Sequence, residues 1–196
     1  MNCSSILVAP TAMRWCARLA IVLGSMLVLG CTPTMDWRVV HHADGGWKAL
    51  FPAKPVEVSR TLVLPGAQRQ VTLTLKSARI DHTMYAVGHI ANGSNTNREE
   101  LEAAMLANIR ATPDQVVRSE VMVQNQRFIE IRANGLMLVD PVKPAVPARL
   151  IMRSAVISVP FGLPARVIEI IAVGPNDALT EDYARQFIDS LELVGL

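Results

Sequence analysis

The chain has 196 residues, of which 51% are hydrophobic, 18% charged and 5% aromatic. A chain this apolar is not disordered, and its length suits one domain whose core needs neither disulfide nor metal. With Arg14 and Arg18 of residues 1–30 set aside, 17 basic residues face 17 acidic ones; a neutral chain without a basic cluster has no electrostatic footprint for nucleic acid.

Residues 1–30 read as a targeting segment. Arg14 and Arg18 make a short basic region, and an apolar run of eleven residues, Leu19–Leu29, broken only by Gly24-Ser25, follows it. At about 1.5 Å per residue they cover about half of a ~30 Å hydrocarbon core, the length of a signal-peptide apolar region. Val28-Leu29-Gly30-Cys31 comes next, then Thr32-Pro33-Thr34. This stretch resembles a bacterial lipobox. The resemblance implies cleavage between Gly30 and Cys31 and a covalent lipid on the Cys31 thiol, with no other cofactor. An ordinary cleaved signal or a single anchor helix is the alternative, and Met13 as well as Met1 can be the start. The cysteine count agrees. Of Cys3, Cys16 and Cys31 only the last stays in the processed chain, so no intrachain disulfide is expected in an oxidising envelope. One acyl chain anchors marginally, at ~0.8 kcal/mol per buried methylene; two or more anchor firmly. Thr32, where inner-membrane lipoproteins carry Asp, implies by the same resemblance the outer membrane, facing the periplasm.

Residues 31–46 read as a lipidated N-terminus and tether, with a strand option at Trp37–Val40, and residues 47–196 as a single domain. Trp47–Phe51 is a strand, closed by Pro52 and Pro55. Val56–Leu64 is another, ending at the turn Pro65-Gly66. Gln70–Lys76 alternates strictly, and Met84–Ile90 returns after Asp81-His82. Thr96 with Glu99 forms a capping box, and Leu101, Met105 and Ile109 make one apolar stripe of a helix that Pro113 ends. Glu99, Glu100 and Glu102 then sit near the positive end of its dipole. Val116–Val123 and Arg127–Ala133 flank Asn125 as a hairpin, Asn134-Gly135 is a further turn, and Leu136–Val139 follows it. Asp140–Pro147 holds three prolines and reads as an extended surface loop. Leu150–Val159 and Arg166–Val173 are apolar almost throughout, which marks central strands covered on both faces. Thr180 caps a last helix whose stripe is Ala184, Phe187, Ile188 and Leu191. The expected fold is α+β, a mainly antiparallel sheet with two packing helices.

The stretch Trp47-Lys48-Ala49-Leu50-Phe51-Pro52-Ala53-Lys54-Pro55, with the closing Tyr183–Leu191, is similar to the PsbP-like fold, of which DcrB-type envelope lipoproteins are one example. The resemblance covers the layout of most of residues 45–194 but only these two motifs in letters. It implies an α/β/α sandwich in a family of mostly accessory proteins, and it carries over no functional residue.

No phosphate-cradling loop, nucleophile elbow or zinc-protease motif occurs. Four titratable residues stand out. Glu169 is an acid inside an apolar strand, expected either to pair with Arg153 or Arg149 across the sheet or to carry a raised pKa as a general base. His41, His82 and His89 can join a zinc or copper site with Asp44 or Asp81, although adjacent His41 and His42 face opposite ways on a strand, as do His82 and His89. Glu130, Arg149 and Arg153 read as exposed-face residues. Trp37, Trp47 and Tyr85 can line a ligand surface, with Trp47 better read as core. The expected function is a non-catalytic, lipid-anchored envelope protein that binds an envelope protein partner in an accessory or assembly role. The alternative is a small-molecule or lipid-binding module that uses a cleft between sheet and helices; a hydrolase with an unrecognised site is the third reading.

Overall fold

The computed structural model describes residues 35–64, 69–159 and 163–195. Gly30, Cys31, the targeting segment and the Pro65-Gly66 turn lie outside the described residues. Ten strands and two α-helices occur among those described. The strands are β1 (Arg38–His42), β2 (Trp47–Phe51), β3 (Val56–Leu64), β4 (Arg69–Ile80), β5 (Thr83–Ile90), β6 (Val116–Val123), β7 (Gln126–Met137), β8 (Val146–Ile157), β9 (Arg166–Pro175) and β10 (Glu192–Leu193). Helix α1 is Asn95–Asn108 and helix α2 is Glu181–Ile188. The class is α+β with antiparallel pairing throughout, as the alternation and caps imply.

The larger sheet has the order β3-β4-β5-β9-β8-β7-β6; the smaller is β1-β2-β10. After β5 the chain leaves the sheet through α1, starts again at the far edge with β6, and works inward until β9 pairs with β5. β8 and β9 are therefore central, which explains their unbroken apolarity. Along β9, Ile168, Ile170 and Ala172 face α2 and the small sheet. Ile171 and Val173 face the opposite side, where Met105 and Leu106 of α1 pack; Val167 packs with Leu101 of the same helix. Phe187 of α2 meets Phe51 and Tyr85 edge-on, with ring centroids 5.1 and 5.3 Å away. Trp47 is core.

The strand option at Trp37–Val40 is taken up, for residues 38–42 form β1 and pair with β2. Two local expectations change. The α1 capping box lies two residues earlier than Thr96, at Ser94 with Asn97, which leaves the first turn without an acid. Asn134-Gly135 is not a turn but part of β7, because the glycine serves a close approach. A Cβ on Gly135 would lie 2.0 Å from the Ile109 carbonyl oxygen, which ends α1 against β7 and accepts from Leu136 N at 2.6 Å. The β6–β7 reversal itself falls at Gln124-Asn125, both at positive φ, the geometry of a tight two-residue hairpin.

Candidate functional site

Helix α1 crosses one face of the large sheet without sealing it. A chamber of about 100 Å³ remains beside it, walled by Leu73 and Leu75 of β4, Met84 of β5, Met105 of α1 and Glu169 of β9. Gly88 stands opposite Glu169 in the β5–β9 register. A Cβ there would press on the Leu73 and Leu75 methyls at 3.2 Å, so the glycine lets both leucines lean over the chamber. A second chamber of about 190 Å³ adjoins the first, sharing Met84, Met105 and Asn108 and adding Arg79, His82 and Met137. Its mouth, at His82 and Val139, adjoins an open groove of about 690 Å³ between the Asp81-His82 turn, the proline-rich loop and Pro175–Ala178. Glu169 thus lines the smallest of three neighbouring cavities, and the widest of them is open to solvent.

Glu169 is only 5% exposed, and its Oε1 has no hydrogen-bond partner among the described residues. Burial, and then the charge of Glu102, push its carboxyl up to about 8. The side chain is thus largely a neutral acid at neutral pH, able to donate or accept. Glu102, on the buried side of α1, is ionically satisfied. Arg98 donates to its Oε1 at 2.5 Å and Ser154 Oγ donates to the same oxygen.

The expected arginine partners of Glu169 are elsewhere. Its register neighbour on β8 is Ser154, while Arg153 stands beside Ile170 and points to the opposite face. There Arg153 donates to Glu130 at 2.7 Å and to Asp189 at 2.5 Å. Arg149 lies on that face too, 3.7 Å from Glu181. Glu130 and Arg153 are not exposed-face residues, for both are buried. Burial pushes the Glu130 carboxyl up, but hydrogen bonds from Arg153 and Arg132 outweigh it and hold the group below its ordinary value.

The histidines do not assemble as a trio. His41 is exposed opposite Lys48, and His82 is at the cleft mouth. His89 pairs instead with His42, a residue the sequence reading set aside. Their ring centroids are 4.8 Å apart, and Trp47 stacks on His42 at 5.2 Å. His42 Nδ1 accepts from Gly45 N at 2.7 Å, and its Nε2 lies 3.4 Å from Glu57. Burial first, then His42 and Arg166, push His89 down to about 4. Among the described residues no three or more His, Cys, Asp or Glu side chains are placed to hold one metal ion.

Glu102, Ser154, Met84 and Met105 complete the cleft and its backing without having been singled out. Ser154 was findable in principle, since it interrupts an apolar strand just as Glu169 interrupts the next. Glu102 was hidden among three nearby acids that read as dipole partners. Comparison with family models, with curated proteins and with solved structures yields no match. No helix among the described residues is long and apolar enough to cross a membrane.

Proposed function

We propose that the protein is a non-catalytic ligand-binding module of the bacterial envelope, held to the outer membrane by a lipid on Cys31, which takes an elongated apolar molecule with a polar tip into the cleft beside α1. One observation carries this reading: a buried carboxyl, unpartnered among the described residues, lines an apolar chamber beside α1 that adjoins a wider one. Ligand sites are typically apolar concavities with a few convergent polar groups. Here Glu169, Asn108 and His82 are such groups, spaced along walls of leucine and methionine. Methionine suits such walls because its unbranched, polarisable side chain adapts to varied apolar shapes. The test is methyl NMR of the ¹³C-methionine-labelled protein against a series of six- to twelve-carbon alcohols. Met84 and Met105 should shift together and saturate; unmoved methyls across the series would overturn the reading.

A second reading is favoured by the outer groove. Leu138 and Val142 are 51% and 91% exposed on the loop that walls it. Such a loop can dock an extended segment of an envelope partner, because prolines limit the freedom that binding removes. Replacing Val142–Val146 with a Gly/Ser linker should abolish a specific envelope crosslink while the domain still melts cooperatively. A crosslink that persists undiminished makes the loop a spacer.

A further inference from the structure

We infer that the smallest chamber of the cleft is a cation site, in which Glu169, backed by Glu102, receives the protonated amine of an otherwise apolar ligand. The inference rests on the ligand-binding reading and names the ligand's chemistry. Its first support is the hydrogen-bond inventory of the smallest chamber. Leu73, Leu75, Ala86, Gly88 and Ile171 offer no polar side-chain atom, and the thioethers of Met84 and Met105 only accept. The Asn108 amide is directed at Met105 Sδ, 3.8 Å away. Apart from the proton of Glu169 itself and the Asn108 amide, a ligand carboxylate or phosphate would meet no side-chain donor there, whereas an ammonium would meet Glu169 Oε1, which is unpartnered among the described residues and buried.

The second support is charge. Two carboxylates, Glu169 and Glu102, share this buried region, and Arg98 is the cation that satisfies Glu102. The pair is therefore one positive charge short when both acids are ionised. In the empty cleft a proton on Glu169 makes up that deficit. A bound ammonium replaces it: the Glu169 O–H bond breaks, the proton leaves to solvent, and the carboxylate that remains pairs with the ligand cation. Up to one proton is released for each ligand bound. Affinity should accordingly rise as pH approaches 8, the value to which burial and Glu102 raise Glu169.

The test uses the full chain in nanodiscs of zwitterionic lipid, with hexylamine, 1-hexanol and hexanoate as probes, read by calorimetry and by the Met84 and Met105 methyl signals. At pH 7.5 hexylamine should bind at least about tenfold tighter than 1-hexanol, a difference of about 1.4 kcal/mol. Hexanoate should be the weakest of the three. Glu169→Gln should lose the preference for the amine, hexylamine then binding no tighter than 1-hexanol, while a cooperative thermal melt reports that the variant is folded. Hexanol or hexanoate binding as tightly as hexylamine overturns the cation site and leaves the ligand-binding reading standing. Methyl signals indifferent to all three probes overturn both.

Discussion

Arg153 and Glu169 sit on adjacent strands one residue out of register, and that single step puts them on opposite faces of the sheet. Each face therefore has its own acid with its own fate. On the α2 face Glu130 is held ionised between Arg153 and Arg132, at 2.7 and 2.9 Å. On the α1 face Glu169 has no arginine partner among the described residues, and it holds its proton instead.

Arg153→Ala should destabilise the domain by about 3 kcal/mol, because it leaves a buried carboxylate with a half-exposed arginine as its close partner. Arg153→Met combined with Glu130→Leu should recover most of that loss, since apolar replacement of a buried ion pair is commonly neutral or better. Urea unfolding of the three variants checks both statements. A double variant less stable than Arg153→Ala would show that the pair contributes net stability.

Two buried groups should shape the pH dependence of stability, with opposite signs. Glu169 is raised from 4.5 to about 8, so between those values the folded chain keeps a proton that the unfolded chain gives up, and stability falls as pH rises. His89 is lowered from 6.5 to about 4, so between those values the unfolded chain takes a proton that the folded chain refuses, and stability falls as pH drops. The two slopes, each at most about 1.4 kcal/mol per pH unit, offset one another where both apply. These two groups should therefore give a plateau from about 4.5 to 6.5, with losses on either side. Glu169→Gln should remove the alkaline loss alone. Thermal melts from pH 4 to 9 that show the same alkaline slope in this variant would assign the slope elsewhere.

Gly135→Ala should cost at least about 2 kcal/mol, as overpacking against backbone cannot relax through a side-chain rotamer. Its methyl would lie 2.0 Å from the Ile109 carbonyl oxygen, so the end of α1 must lift from β7. Amide exchange at Leu136, which donates to that oxygen, should accelerate in parallel. Protection unchanged at Leu136 would mean that the helix end had not moved.

Phe187→Ala should destabilise by about 3–5 kcal/mol, since the ring is fully buried and touches both Phe51 and Tyr85. Denaturant midpoints measure it directly, and a loss below about 1 kcal/mol would mean that α2 contributes little to holding the small sheet on the large one.

Cys31→Ser should abolish palmitate labelling and release the chain from the envelope membrane fraction. Labelling that survives the substitution would sink the proposed anchor.

What the sequence made legible follows from periodicity. Strict alternation located Val71, Leu73 and Leu75 on a strand, and unbroken apolarity marked β8 and β9 as central. Thr180 announced its helix because an N-cap is a local device, and its side chain does accept from Tyr183 N. Register is not local. Choosing Arg153 as the partner of Glu169 needs the β8–β9 pairing to within one residue, and the intervening stretch 158–165 does not reveal it. Gly135 misled for a related reason: a glycine that makes room for a helix end three-dimensionally adjacent looks the same in sequence as one that turns the chain. The cleft joins β4, β5, β9 and α1, and no short motif spans those elements.

The pairing of β1 with β2 sets a short leash. The chain is held before β1 begins, for Asp36 N donates to the Pro52 carbonyl at 2.7 Å, and Asp36 follows Cys31 by five residues. Fully extended, that span reaches at most roughly 18 Å, while a domain of this length has a radius of gyration of roughly 15 Å. With the lipid on Cys31 that we propose, the domain would swing less than its own diameter from the headgroups. Its encounters would be confined to molecules within or beside that leaflet, which for an apolar amine is also where such a molecule accumulates.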